Sequence, residues 1–184
     1  MQERPAALPR PRTLVHPGPC NALRLEHRQA PGARHLRLAL PTGISLFDAI
    51  VTALASAGVH NASLTLLQGD LDDLDFCVAP PDRSGRTVAT YGPPTTLRRA
   101  RLLFGNATLG RSEAGAASVH CHAVFSDCDG HLLGGHVLTQ RCRIAHAPIG
   151  ALATALDGFE LRIAHDPETG MPLMRPATMQ ARHD

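Results

Sequence analysis

Three histidines are spaced as a metal site would require. His120 and His122 are two residues apart, and side chains two apart on a β-strand project from the same face. Asp129-Gly130, further along the chain, is typical of a hairpin turn. A hairpin centred on Cys128 would put His136 directly opposite His120 and diagonal to His122, and facing Cβ atoms in a sheet are about 4.5–5.5 Å apart. The sequence therefore predicts three imidazoles on one patch of a sheet.

The chemistry of this patch depends on the space around it. The same pairing places Gly134 opposite His122, where the missing side chain would leave room for an ion or a small ligand. Three neutral imidazoles suit zinc, and also iron, nickel or copper. Three protein ligands leave a fourth position for water or substrate, and a metal-bound water can be a nucleophile near neutral pH. We therefore expect a divalent metal ion, zinc first among the candidates, at His120, His122 and His136.

A purely structural role for these residues is the competing interpretation. The chain has eleven histidines in 184 residues, so an H-x-H pair alone is a weak motif. Core or surface histidines satisfied by hydrogen bonds would have the same spacing. The sequence identifies no catalytic residue and leaves open whether the protein is an enzyme.

One helix and a series of strands must position the histidines. Leucines alternate with other residues over 34–40, which predicts a strand. Ser45 then suits a helix N-cap with Asp48 three residues on, and Gly58 suits the end of that helix. Seven further strands are expected at Ser63–Gln68, Leu74–Ala79, Arg99–Leu109, Ala117–Phe125, His131–Leu138, Arg141–Ile149 and Phe159–Ala164. One early helix followed by strands at hairpin spacing predicts an α+β fold, with a largely antiparallel sheet of about seven strands in a single compact domain.

The two ends of the chain differ in composition from the middle. Residues 1–33 are rich in arginine and proline without apolar periodicity, which predicts an extended arm. We expect the folded domain over residues 34–175 and a flexible tail over 176–184.

Composition limits the classes of protein to be considered. Aromatic residues make up 3% of the chain, so the core must be mainly aliphatic. There is no apolar run long enough for a transmembrane helix, and the charged, proline-broken N-terminus is unlike a secretory signal. Five cysteines without CxxC spacing fit a reduced protein. These features predict a cytoplasmic protein with no membrane association.

The positive charge is confined to the arm. All 18 basic residues are arginine, and residues 1–40 hold seven of them against two acids, a net charge of +5. Residues 41–184 hold eleven arginines against fourteen acids, a net charge of −3. A mildly acidic body is opposite to the basic surface that phosphate binding needs. DNA is therefore a weakly supported partner, and only the arm could provide the contact.

A known family signature matches the histidine segment. HCHAVFSDCDGHLLGGHVL, at 120–138, resembles the signature of the PPC (plants and prokaryotes conserved) domain, which is found in prokaryotic proteins labelled DNA-binding and in plant AT-hook proteins. The upstream segment PTGISLFDAIVTALASAGVHNASLTLLQGDLDDLDF resembles the opening helix and strand of the family, and RLLFGNATLG its central strand. The resemblance covers about residues 34–170.

The resemblance implies a fold, an assembly and a role for the histidines that the spacing of the residues alone does not give. It implies a compact α+β domain that assembles as a homotrimer, and it matches His120, His122 and His136 to a histidine set that binds metal in some prokaryotic members. Two departures put any shared activity in question. The family usually has a glutamate where this chain reads Leu97-Arg98-Arg99-Ala100, and usually another where it reads Ala145-His146-Ala147-Pro148.

Other candidate motifs are weaker. Leu8–Thr13 lacks the glycine of an R-G-R-P AT-hook core, and the acidic segments 68–75 and 127–130 lack calcium-loop spacing. Arg99 and Arg101 share a strand face and could hold an anion or pair across a subunit interface, although solvent-facing charges are the simpler explanation. Cys121 is expected to face the core. No P-loop, G-x-G-x-x-G or nucleophile elbow is present.

These observations are compatible with three alternative functions. The first is a homotrimeric PPC-like domain of unassigned biochemical role that binds a metal and has a possible small-molecule ligand there. The second is a metal-dependent enzyme acting on a small polar substrate. The third is a DNA-binding or transcription-associated regulator that uses the arginine-rich arm.

Overall fold

The computed structural model describes residues 14–22, 26–29 and 32–177. Within these ranges the chain forms one α-helix, one short 3₁₀ helix and ten strands. The helix, α1, is Leu46–Ser56, and the 3₁₀ helix is Thr139–Arg141. The strands are β1 His35–Leu40, β2 Ala62–Leu66, β3 Gly69–Cys77, β4 Thr95–Arg111, β5 Ala117–Ser126, β6 Leu132–Val137, β7 Arg143–Ile144, β8 Ile149–Ala155, β9 Glu160–Asp166 and β10 Met171–Ala177.

The strands form one sheet in the order β1-β8-β2-β4-β5-β6-β3-β7. Strand β4 also pairs with β3, so β3, β4, β5 and β6 close a ring. The hairpin of β9 and β10 attaches to β4 through a parallel pairing of Arg162 with Arg111, and the other pairings are antiparallel. The α+β class with a largely antiparallel sheet is therefore confirmed, with ten strands instead of about seven.

Local signals position the helix as predicted. The Ser45 hydroxyl accepts a hydrogen bond from the Asp48 N–H at 3.0 Å and donates to the Asp48 carboxylate at 2.7 Å, which satisfies an N–H that the helix itself leaves unpaired. Gly58 follows the helix with φ 67°, a left-handed conformation that favours glycine. The apolar face of the helix buries Leu46, Ala49, Ile50 and Leu54.

The core is aliphatic apart from two phenylalanines and three cysteines. Phe76 on β3 and Phe125 on β5 meet edge to face with ring centroids 4.8 Å apart, a favoured aromatic geometry. Alternate residues of the strands supply the rest, and β2 buries Ala62, Leu64 and Leu66 while its intervening side chains are exposed. The opposite face of β5 and β6 is left for the histidines.

Three corrections concern the predicted strands. The strand expected at Arg141–Ile149 is interrupted: β7 ends at Ile144 and β8 begins at Ile149, because Pro148 lies between them and has no N–H to donate. Two strands were not predicted. Only Ile149 of β8 falls in an expected strand, and β10 extends to Ala177, two residues into the segment expected to be a tail.

Part of the expected arm contacts the folded domain. Residues 14–22 lie against the turn between β9 and β10, where Gly18 N–H donates to the Glu168 carbonyl at 2.9 Å. Residues 1–13, which hold Leu8–Thr13, and residues 178–184 lie outside the described residues. The domain boundaries therefore stay a prediction.

Candidate metal centre

The three predicted histidines form a triangle on the exposed face of β5 and β6. Ring centroids lie 4.9 Å apart for His120 and His122, 4.8 Å for His120 and His136, and 5.3 Å for His122 and His136. One ring nitrogen from each histidine lies within 4.8 Å of the other two. The strand alternation that exposes them sends Cys121, between the first two, into the core as predicted.

The pairing of β5 with β6 differs from the predicted one by two residues. His136 lies directly opposite His122, and Gly134 lies opposite Val124. The predicted space opposite His122, left by a glycine, is therefore wrong. The three histidines nevertheless share a face, because a shift of two residues preserves the side of the sheet to which each side chain points.

The turn between the strands explains this shift. The Asp127 carboxylate accepts hydrogen bonds from the N–H groups of Asp129 at 3.0 Å and His131 at 2.9 Å. Gly130 adopts φ 83° within the turn. These bonds centre the turn on Asp129, one residue beyond the predicted Cys128.

The environment of the histidines favours the neutral imidazole. Burial, together with the neighbouring His120 and His122, lowers the pKa of His136 to about 4. Burial and then the proximity of His122 also lower the pKa of His120. Two of the three rings therefore carry a free lone pair at neutral pH, which is the form that binds a metal ion.

The spacing of the nitrogens suits a tetrahedral ion after small rotations. Zinc bonds histidine nitrogen at about 2.0–2.1 Å, so three nitrogens around one tetrahedral zinc would lie about 3.3 Å apart. The nitrogens of the three histidines, now at most 4.8 Å apart, would reach this spacing by rotation of the side chains, with the strand pairing unchanged. The imidazole donors fit zinc and also iron, nickel or copper.

Tyr91 is a neighbour of the triangle that the sequence reasoning missed. Its hydroxyl lies 3.5 Å from Nδ1 of His136, and the two ring centroids are 4.7 Å apart. The loop before β4 brings it there, with Gly92 N–H donating to the Val78 carbonyl at 2.9 Å. Tyr91 is the only tyrosine of the chain, but no spacing rule connects it to a histidine 45 residues away.

A second group of potential ligands is already used by the hairpin turn. Donor atoms of Asp127, Asp129 and His131 also lie within 4.8 Å of one another. The Asp127 carboxylate, however, accepts the backbone bonds described above and lies 3.0 Å from Nδ1 of His131. The hydrogen bond with the His131 ring, followed by the backbone bonds, lowers the pKa of Asp127. The group accounts for the shape of the turn without an ion.

The two places where the chain departs from the family signature meet in space. Arg99 and Arg101 line a cavity of about 330 Å³ together with His146, Asp70 and Asp72. Arg99 has φ 58°, the one non-glycine residue with positive φ among those described. Charged side chains of both signs therefore surround this cavity, and the segments 97–100 and 145–148 form one altered region.

Two further features concern the cysteines and the helices. All five cysteines are free. Within the described ranges, no helix is both long and apolar enough to cross a membrane.

Several solved structures share this fold. A metal-containing protein of Archaeoglobus fulgidus is 18% identical, with a TM-score of 0.63 over 83% of this chain and 99% of that one. A plant- and prokaryote-conserved protein of Pyrococcus horikoshii is 15% identical, with a TM-score of 0.57 over 83% and 100%. A protein of Ralstonia eutropha JMP134 described as a candidate DNA-binding protein is 17% identical, with a TM-score of 0.61 over 76% and 89%. At such identities the likeness shows the fold alone.

Sequence comparison agrees with the fold. No curated protein matches the chain. The Plants and Prokaryotes Conserved domain, abbreviated PCC or PPC, matches residues 27–152, which include the helix, the central strands and all three histidines of the triangle. The chain belongs to the Plants and Prokaryotes Conserved domain family.

Proposed function

We propose that the protein is a cytoplasmic, homotrimeric PPC domain that binds one divalent metal ion per chain, zinc in the first place, through His120, His122 and His136. The observation that carries this proposal is the histidine triangle, whose ring nitrogens lie within 4.8 Å of one another on an exposed face. Three histidine ligands and an open fourth position suit a site that binds a small molecule at the ion.

The surroundings of the triangle support metal binding over a purely structural role. Within the described residues, no carboxylate is paired with the three imidazoles, and the hydrogen bond at 3.5 Å from Tyr91 is long. Three imidazoles in mutual contact with lowered pKa values at two of them would gain from an ion that shares their lone pairs. The Archaeoglobus fulgidus protein of the same fold is described as metal-containing.

Apolar side chains beside the triangle support assembly. Phe104 on β4 is 55% exposed and lies opposite Val124 of β5, which is 37% exposed. Leu132 on β6 is 70% exposed. Contiguous apolar side chains on a surface mark an interface, and a second and third copy of the chain would bury them as the family resemblance implies.

Elemental analysis tests the metal site directly. The untagged full chain, loaded with zinc and freed of excess ion, should carry about one zinc per chain, because three imidazoles are available on the folded sheet. The double variant His120→Ala/His122→Ala should carry none. The matched control His35→Ala/His165→Ala removes two histidines outside the triangle and should keep the ion. Zinc absent from the wild type, or retained by the first double variant, contradicts the proposal.

Light scattering after size exclusion tests the assembly. The wild type should have about three times the 19.6 kDa mass of one chain. Phe104→Glu should lower that mass by placing a charge in the interface, whereas Leu173→Glu, at a 39% exposed leucine of β10, should not. A single-chain mass for the wild type contradicts trimerisation and leaves the metal site intact.

DNA binding is the second candidate, and the Ralstonia eutropha neighbour is the observation that favours it. Fluorescence anisotropy with a labelled duplex would show affinity that falls steeply with salt if arginines contact phosphates. Removal of residues 1–13 should abolish it and leave the docked segment 14–22 in place. Absence of binding at low salt excludes this function.

Hydrolysis of a small polar substrate by the zinc-loaded protein, lost in His120→Ala/His122→Ala, would instead favour the metal-dependent enzyme.

A further inference from the structure

A cavity of about 290 Å³ opens beside the histidine triangle. His136 lines it from β6, Ser118 and Val119 line it from β5, and Phe47 lines it from α1. The 3₁₀ helix that follows β6 contributes Thr139, Gln140 and Arg141. The volume suits a small molecule rather than a cofactor or a polymer. One wall of this cavity is therefore also part of the proposed metal site.

Arg141 is the charged residue of the lining, and its guanidinium is paired with the buried carboxylate of Asp75. Its Nη2 lies 2.8 Å from Oδ2 of Asp75, whose side chain is 5% exposed. The Thr96 hydroxyl donates to the other carboxylate oxygen of Asp75 at 2.6 Å. A guanidinium has five N–H donors, so an ion pair with Asp75 leaves donors for a further acceptor while limiting the motion of the side chain.

The charge around the cavity is positive when the proposed ion is present. Asp75 balances Arg141, and the described lining residues include no aspartate or glutamate. Three neutral imidazoles leave the double charge of the ion uncompensated. An anion entering here meets that charge and the guanidinium of Arg141, whose side chain is 62% exposed and oriented by Asp75, and hydrogen bonds between ionised groups are stronger than neutral ones.

The remaining lining decides which anion fits. Phe47 and Val119 present apolar surface, and the hydroxyls of Ser118 and Thr139 take part in no hydrogen bond that the structure shows among its described residues. An inorganic anion would leave the apolar wall in contact with water. A short carbon chain would cover it, so the lining favours an organic anion with one charged end.

We propose that this cavity binds a small carboxylic acid anion, with the carboxylate drawn to the metal ion and Arg141 and the carbon chain against Phe47 and Val119. This ligand class rests on the proposed function, because the ion supplies the net positive charge. Arg141 is a binding residue for the ligand, and the ion itself is held without it.

Calorimetric titration of the zinc-loaded full chain tests the ligand class. Butyrate should bind, and butyramide, which has nearly the same shape without the charge, should bind at least about ten-fold more weakly. Inorganic phosphate should also bind more weakly than butyrate, because it cannot cover the apolar wall. Equal binding of butyrate and butyramide, or phosphate binding as tight as butyrate, overturns the proposal.

Two variants test whether the ligand binds in this cavity. Arg141→Gln should weaken butyrate by about ten-fold or more, with zinc content unchanged, whereas Arg101→Gln, outside this lining, should not. Since Arg141→Gln leaves Asp75 without its cation, Ser118→Leu serves as a second variant that fills the cavity and keeps the ion pair. Butyrate affinity that survives Ser118→Leu overturns the proposal.

Zinc content is measured first, which separates the two proposals. Zinc bound at one ion per chain with no response to butyrate overturns the ligand class alone. Zinc not bound at all overturns the proposed function and the ligand class together.

Discussion

His122 and His136 are direct neighbours across the β5–β6 ladder, with ring centroids 5.3 Å apart. His120 adds a third ring within 5 Å of both. Protonation of His136 is therefore disfavoured, first by its burial and then by the like charges that protonated neighbouring rings would place at close range. A metal cation, in contrast, can be bound by the ring nitrogens of all three histidines at once.

Burial of His136, together with its neighbouring histidines, predicts a pH dependence of stability in the metal-free protein. The pKa of His136 is lowered to about 4 in the folded state, while an unperturbed histidine titrates near about 6.5. Between these values the unfolded chain binds more protons than the folded one, so the free energy of unfolding falls as pH drops from about 6.5 to about 4.

Urea unfolding with chelator across that pH range measures this effect. The variant His136→Gln should lose less stability on acidification than the wild type, because it has removed the most perturbed group. Identical pH dependence in the two proteins would show that His136 titrates normally.

Gly135 should tolerate no side chain. A Cβ placed there would lie 2.5 Å from the Cys77 carbonyl oxygen and 2.9 Å from the ring of Phe76. Gly135→Ala should therefore lower the free energy of unfolding by about 1–3 kcal/mol, the range typical of overpacking. Gly32→Ala, with nothing within 4 Å of the added Cβ, should stay within about 0.5 kcal/mol of the wild type in the same urea titration. Equal effects of the two changes would argue against close packing of β6 on β3.

The N-cap of α1 should contribute measurably to stability. Ser45→Ala removes the hydroxyl that accepts from the Asp48 N–H at 3.0 Å, and such a loss costs about 1 kcal/mol. Ser56→Ala, at an exposed serine bonded to the Thr52 carbonyl of its own helix, should cost less than about 0.5 kcal/mol. Thermal or urea unfolding compares them, and a larger loss from Ser56→Ala would contradict this assignment of the cap.

Glu168 should hold residues 14–22 on the domain. Its carboxylate, 8% exposed, lies 2.8 Å from Nδ1 of His16 and accepts the Asn21 N–H at 3.1 Å. Glu168→Ala removes both contacts, and losing about 1.5 kcal/mol of hydrogen bonding to a charged group should raise the rate of cleavage in this segment about ten-fold. Limited proteolysis with proteinase K, read by mass spectrometry, measures it. Glu113→Ala provides the control, and cleavage unchanged from the wild type would show that the backbone contact of Gly18 suffices.

Local sequence patterns were enough to predict the helix and the face of the sheet that carries the histidines. The cap at Ser45 involves a residue only three positions away, so tertiary packing does not alter it. The shared face of His120, His122 and His136 depends only on strand alternation, which a two-residue error in pairing leaves unchanged.

Features set by side-chain bonds or distant contacts could not be predicted. The pairing register follows from the Asp127 carboxylate, and composition of the turn does not reveal which N–H groups it will bind. Strand β10 contains Pro172 and Pro176, which lower the expectation of a strand, yet it lies at the edge of the sheet, paired with β9 alone. Tyr91 reaches His136 through a long loop whose path no local pattern encodes.

The histidine triangle lies on the opposite side of β5 from the residues that bury Cys121 and Phe125. The packing that holds the strands together is therefore mainly aliphatic, and the three histidines lie outside it. Metal exchange at such a site would proceed on the folded chain, with occupancy following the free-ion concentration outside it. Binding of a structural zinc that cross-links loops is coupled to folding, whereas an ion on this face would exchange without unfolding of the core.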